Sequence, residues 1–181
     1  LAAVKGRITC LLGRNGVGKS SLLRGFLGLR PLAGNLRWHI PEDEIGYLPQ
    51  LELGEGLPWM NVQDFVESGV HWPMWRGPFA PKRERLFTHE LLKKWELDHL
   101  KNSSLSHLSK GQLQKVAWLR TFRMSKKVYL LDEPFTFMDA QFREKGLAHM
   151  ENLKNQGVSF ISVFHDTDIP QSLEDLTVRL V

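Results

Sequence analysis

Three stretches of the chain are apolar almost without interruption. "RITCLL" (7–12), "VYLLDEP" (128–134) and "VSFISVFHD" (158–166) each end their hydrophobic run on a glycine, a carboxylate pair or a histidine–aspartate pair. Strands that lack polar alternation are buried on both faces, as in a parallel sheet covered by helices. A fourth short strand is expected in "EIGYLPQ" (44–50), stopped by Pro49. Between the strands the period changes. From Lys19 onward, Leu22, Leu23, Phe26, Leu27 and Leu29 make a helical stripe. "NVQDFVESGV" (61–70) predicts a short helix capped by Asn61. "KRERLFTHELLKKWEL" (82–97) predicts an amphipathic helix with Leu86, Leu91, Leu92 and Trp95 facing inward. Further helices are expected from about Lys110 to Met124 and from Ala140 to Gln156. "RPLAGNLRWHI" (30–40) reads as a turn at Pro31 and Gly34 leading into a short strand.

Buried strands alternating with helices are βαβ units, which place ligand chemistry at the carboxyl ends of the strands. Residues 51–108 interrupt this order with prolines and four of the six tryptophans. They read as a helical subdomain inserted into an α/β core. The expected division of the single domain is a core of 1–50 and 112–181 with a helical subdomain of about 51–111. The chain begins at Leu1 rather than methionine, and an N-terminal strand region is expected to precede it.

Composition narrows the possibilities. With 181 residues, 42% hydrophobic and 24% charged, the chain has the make-up of an ordinary globular domain. A net charge of +4 from scattered lysines and arginines suits an anionic ligand but not nucleic acid. Cys10 is the only cysteine, which excludes an internal disulfide and fits a reducing compartment. No apolar run approaches the roughly 20 residues needed to span a bilayer. The six tryptophans serve either packing or a partner surface.

The chemistry concentrates in three strand ends, those of the glycine loop, the carboxylate pair and His165, and in one helix start. "GRNGVGKSS" (13–21) matches G-x-x-x-x-G-K-[ST] through Gly13, Gly18, Lys19 and Ser20. Glycines let backbone N–H groups wrap a phosphate, and the following helix points its N-terminus at the anion. Lys19 supplies a charge for the β- and γ-phosphates and Ser20 a hydroxyl for Mg²⁺. The competing reading is a glycine-rich turn without a ligand, but this loop leaves a buried strand and opens a helix, as phosphate binding requires. Asp132 and Glu133 end another strand, where they either hold Mg²⁺ and orient water or simply cap the next helix. The helix start in "LSHLSKGQLQKVAWL" (105–119) looks over-equipped, since capping alone needs only Ser109.

Taken together these motifs resemble the nucleotide-binding subunit of an ATP-binding cassette (ABC) transporter, over nearly the whole chain. "GRNGVGKSS" resembles the Walker A loop, with Asn15, Gly16 and Ser21 among its phosphate-facing positions. "YLPQ" ends on Gln50 at the Q-loop position, and "LSKGQ" (108–112) is similar to the family signature, usually LSGGQ. "VYLLDEP" resembles the Walker B strand, "FTFMD" the D-loop ending at Asp139, and "SVFHD" places His165 at the switch position. The resemblance implies a P-loop NTPase core with a mostly parallel sheet, a reduced antiparallel β subdomain and an inserted helical subdomain. It implies ATP and Mg²⁺ as ligands, with Ser20, Gln50 and Asp132 around the metal and Glu133, His165 and Gln50 catalytic. It further implies a head-to-tail dimer in which Ser109, Gly111 and Gln112 of one copy cover ATP held by the other, and Asp139 crosses the interface. Transmembrane permease subunits would be partners, and the place of work the cytoplasmic face of the inner membrane. The segment after Gln50, with Pro58–Trp59 and then Val62, Asp64, Val66 and Gly69, resembles ATPases of manganese, zinc and iron-chelate importers.

Two departures stand out. Lys110 occupies a usual glycine of the signature, and Phe137–Met138 replace a small residue and leucine in the D-loop. The competing functions are an ABC ATPase of DNA repair or ribosomes, uncoupled from transport, and a nucleotide-binding module that does not turn over.

Overall fold

The computed structural model describes residues 4–50, 59–69, 81–164 and 175–180. They form two compact units. The first comprises Leu1–Gln50, Lys126–Pro134 and Arg143–Val181; the second comprises Leu51–Ser125 and Phe135–Phe142.

The first unit is built on five parallel strands: β1 (Ile8–Leu12), β2 (Ile45–Leu48), β3 (Val128–Asp132), β4 (Ser159–Val163) and β5 (Leu176–Arg179). They lie in the order β2-β3-β4-β1-β5. Every residue of β1, β3 and β4 is buried, as their unbroken apolar runs require. Helix α1 (Lys19–Phe26) follows β1 and packs Leu23 and Phe26 on Leu11, Val128, Leu130, Ile161 and Val163. Leu29 lies beyond this helix and is exposed, so the inward stripe ends at Leu27.

Register decides where the chemistry falls. Leu11 pairs with Val163, and Val163 with Asp132, so these residues share one row at the carboxyl edge of the sheet. Leu48 pairs with Leu131, one row earlier, which brings Gln50 out at the same edge.

Residues 30–40 do not form the expected strand, and among the described residues the sheet has no antiparallel member. A strand needs a neighbour for its ladder. Here Trp38 instead packs against the core and its indole N–H donates to the Phe26 carbonyl at 2.9 Å. β5 was not anticipated: "LTVR" is exposed along most of its length and carries no buried-strand pattern.

The second unit holds α2 (Val62–Glu67), α3 (Lys82–Lys94) and α4 (Lys110–Phe122). Helix α4, assigned to the core on sequence, falls in this unit. Asn61 caps α2 by accepting from the Asp64 amide at 2.8 Å. In α3, Leu92 is fully buried and Trp95, just past its end, nearly so, but Leu86 is 57% exposed; the inward stripe is narrower than expected. Trp118 of α4 is fully buried and centres an aromatic cluster with Trp95, Phe122 and Phe135. Packing therefore accounts for Trp95 and Trp118, whereas Trp59 is exposed. Trp72, Trp75 and Pro58 lie outside the described residues. Helix α5 (Ala140–Asn155) begins at the end of this unit's second segment and runs on to the turn before β4.

Candidate functional site

The loop between β1 and α1 turns through three glycines of positive φ: Gly13 (146°), Gly16 (81°) and Gly18 (103°). At Gly13 crowding adds to the conformational demand, since a Cβ would sit 2.7 Å from the Leu180 carbonyl oxygen. Gly18 caps α1 with no side-chain hydrogen bond to the helix end, which leaves first-turn N–H groups available to an anion. Lys19 is almost fully buried, and its ammonium donates back to the carbonyls of Gly13 (2.7 Å) and Arg14 (3.1 Å). The loop is thus closed around a lysine head group, with a third N–H hydrogen left to give. Asn15 and Gly16 are exposed at its tip. Ser21 is exposed and accepts from Arg30 at 3.4 Å.

Ser20 reaches across the strand ends. Its hydroxyl donates to Asp132 Oδ1 at 3.0 Å. Asp132 has no exposed surface, and its second oxygen, Oδ2, has no hydrogen-bond partner among the described residues. A buried carboxylate oxygen without a donor is costly unless something cationic or protic completes it. Burial pushes the Asp132 carboxyl above the usual carboxylate range and the charge of Glu133 adds to this; the Ser20 hydrogen bond and the charges of Arg24 and Lys19 act against it. A hydroxyl and one carboxylate beside a phosphate-wrapping loop is the donor set Mg²⁺ uses when phosphates supply further ligands. Among the described residues no three His, Cys, Asp or Glu side chains gather into a metal cage.

Glu133 follows in the left-handed region, with φ of 51°. A non-glycine residue held there is strained, and such strain gathers at functional positions. Its amide donates to the Val163 carbonyl at 3.2 Å, fixing the turn off β3. Its carboxylate accepts from the Gln50 side-chain amide at 3.2 Å. Gln50 and Glu133, 83 residues apart, therefore meet at the sheet edge beside Asp132. His165 lies outside the described residues.

The second unit carries the other group of motif residues. Ser109 and Gln112 form a reciprocal capping box at the start of α4: the serine hydroxyl accepts from the Gln112 amide (3.2 Å), and the glutamine side chain accepts from the Ser109 amide (2.9 Å). The glutamine, unexplained by capping on the sequence reading, is half of the cap. Ser109 and Lys110 are exposed at the helix tip. Gly111 is required by a close approach, for a Cβ there would lie 2.4 Å from the Phe137 carbonyl oxygen. Asp139 is held within its own chain: it pairs with Lys115 and accepts from the Phe142 amide at 2.9 Å, capping α5. The Lys115 hydrogen bond and then the amide hold its carboxyl below the usual range.

A parallel sheet whose first strand feeds a glycine loop and helix, with a serine hydroxyl joined to an aspartate ending a neighbouring strand, defines a P-loop NTPase. Within that class, the ABC transporter profile matches residues 1–136, and the chain belongs to this family. It is 32% identical over 184 aligned residues to the spermidine/putrescine import ATP-binding protein PotA of Bacillus anthracis, covering 96% of this chain and 54% of PotA. It is 29% identical to the manganese transport system ATP-binding protein MntB of Halalkalibacterium halodurans, covering 97% of this chain and 72% of that protein. CbiO1 of Clostridium perfringens, part of the ABC transporter complex CbiONQ, superposes with a TM-score of 0.72 at 26% identity, over 99% of this chain and 75% of that one. The chain thus spans about half the length of PotA. Among the described residues no helix is long and apolar enough to cross a membrane.

Proposed function

We propose that this chain binds ATP with Mg²⁺ and hydrolyses it as one of two identical subunits that drive a membrane transporter. The observation that carries this reading is Oδ2 of buried Asp132, without a hydrogen-bond partner among the described residues, beside a Ser20 hydroxyl at the mouth of the glycine loop. The loop amides and Lys19 would hold the β- and γ-phosphates, and Ser20 and Asp132 the metal, with Gln50 beside it. When bound, Mg²⁺ would supply positive charge against the phosphates, held there by Ser20 and Asp132. Glu133 would orient the attacking water and accept its proton, and Gln50, whose side-chain amide donates to the Glu133 carboxylate, would hold it in position. His165, by its place in the sequence, would contact the γ-phosphate.

The tip of α4, with Ser109, Gly111 and Gln112, presents backbone amides suited to an anion. In this reading the anion is the γ-phosphate on the second copy, so each site is completed by its partner. PotA is named for spermidine/putrescine import and MntB for manganese transport, which supports coupling to transport without selecting a substrate. Permease subunits would then hold the ATPase at the inner face of the membrane. An ATPase of DNA repair or ribosomes is the less favoured reading, since the curated relatives described above are import and transport proteins.

The experiment is Mg²⁺-dependent ATP turnover by the wild-type chain and Glu133→Gln. A base of this kind contributes about 10²–10⁴-fold, so the variant should slow by that factor. Equal rates would remove Glu133 from the chemistry.

A further inference from the structure

Of the residues that depart from the pattern the resemblance implies, the fold of the second unit brings two together, Lys110 in the signature and Phe137 in the D-loop. The Lys110 ammonium lies 5.3 Å from the centroid of the Phe137 ring. Phe137 is 62% exposed and has a φ of 64°. A bulky side chain at positive φ is a true outlier, and it persists only where its surroundings hold it. Three contacts from α4 do so. Lys110 sits over the ring. The Phe137 carbonyl is pressed onto Gly111, in space that a Cβ would have to share at 2.4 Å. One turn further along the helix, Lys115 pairs with Asp139.

We infer that Lys110 is a positioning residue: by clamping the Phe137 ring it sets segment 135–139 against the tip of α4, the surface offered to the second copy's nucleotide. Its charge meets an aromatic face in its own chain. The clamp stands on the contacts within the second unit; its consequence for turnover rests on the composite-site reading above.

The test separates the two. Amide hydrogen exchange at Phe142, whose N–H donates to Asp139, reports opening of the segment in nucleotide-free protein. An exposed cation–π contact makes Lys110→Met and Phe137→Ala each raise that exchange about two- to fivefold. The double variant should exchange no faster than either single one, and Lys110→Arg should keep the wild-type rate. Unchanged exchange in Lys110→Met, or effects that multiply in the double variant, would overturn the clamp. In steady-state ATP turnover, Lys110→Met should lower kcat and leave KM for ATP unchanged. A raised KM with unaltered kcat and exchange would make Lys110 a phosphate contact and sink the inference. Coupled exchange in a protein whose wild type turns over no ATP supports the clamp and overturns the ATPase reading instead.

Discussion

At the scale of single residues, the helix start "LSKGQ" has an explanation inside its own chain for every polar or special position. Ser109 and Gln112 cap each other's backbone, Gly111 admits the Phe137 carbonyl, and Lys110 meets the Phe137 ring. That changes what a substitution here reports. Gly111→Ala should destabilise the fold by about 1–3 kcal/mol, because the new methyl overpacks a backbone oxygen; thermal or urea unfolding measures it, and an unchanged midpoint would contradict the close approach. Local chemistry explains why the glycine loop and the Asp132–Glu133 pair could be read from the chain: both are contiguous and sit at the end of a buried run. The Lys110–Phe137 and Lys115–Asp139 contacts join residues 27 and 24 positions apart across a connection that no periodicity reveals. The left-handed backbone of Glu133 and Phe137 was equally hidden, because neither residue type announces positive φ.

Elements were legible where burial is two-sided or a cap is local. β1, β3 and β4 declare themselves by unbroken apolar runs, and α2 by Asn61. Residues 30–40 misled because a strand is defined by its neighbour, and β5 escaped because an exposed strand carries no apolar signature. β3 also makes a prediction of its own. The phenol of Tyr129 is 1% exposed, and burial pushes its pKa from 10.0 to about 12, with the Lys126 amide donating to it in partial compensation. A raised phenol pKa means the fold favours the neutral form. The contribution is full below pH 10 and is lost as the pH rises through about 12. Stability should therefore fall by about 2 kcal/mol across that window. Tyr129→Phe should make the alkaline limb shallower in denaturant titrations, and an identical slope would mean Tyr129 does not titrate against folding.

At the scale of the whole molecule, the residues proposed to face phosphate and those of the signature belong to different compact units. The first unit supplies Lys19, Ser20, Gln50, Asp132 and Glu133, and the second supplies the helix tip with Ser109 and Gly111. In the proposed dimer each copy lends one set to its own nucleotide and the other to its partner's. Slowing hydrolysis should then hold two copies together around ATP. The most direct test is the mass of Glu133→Gln by sedimentation, with and without Mg²⁺-ATP. The expected result is a species of twice the 20.8 kDa chain mass only when Mg²⁺ and ATP are present. A monomer that binds ATP at full occupancy under the same conditions would contradict a site shared between copies.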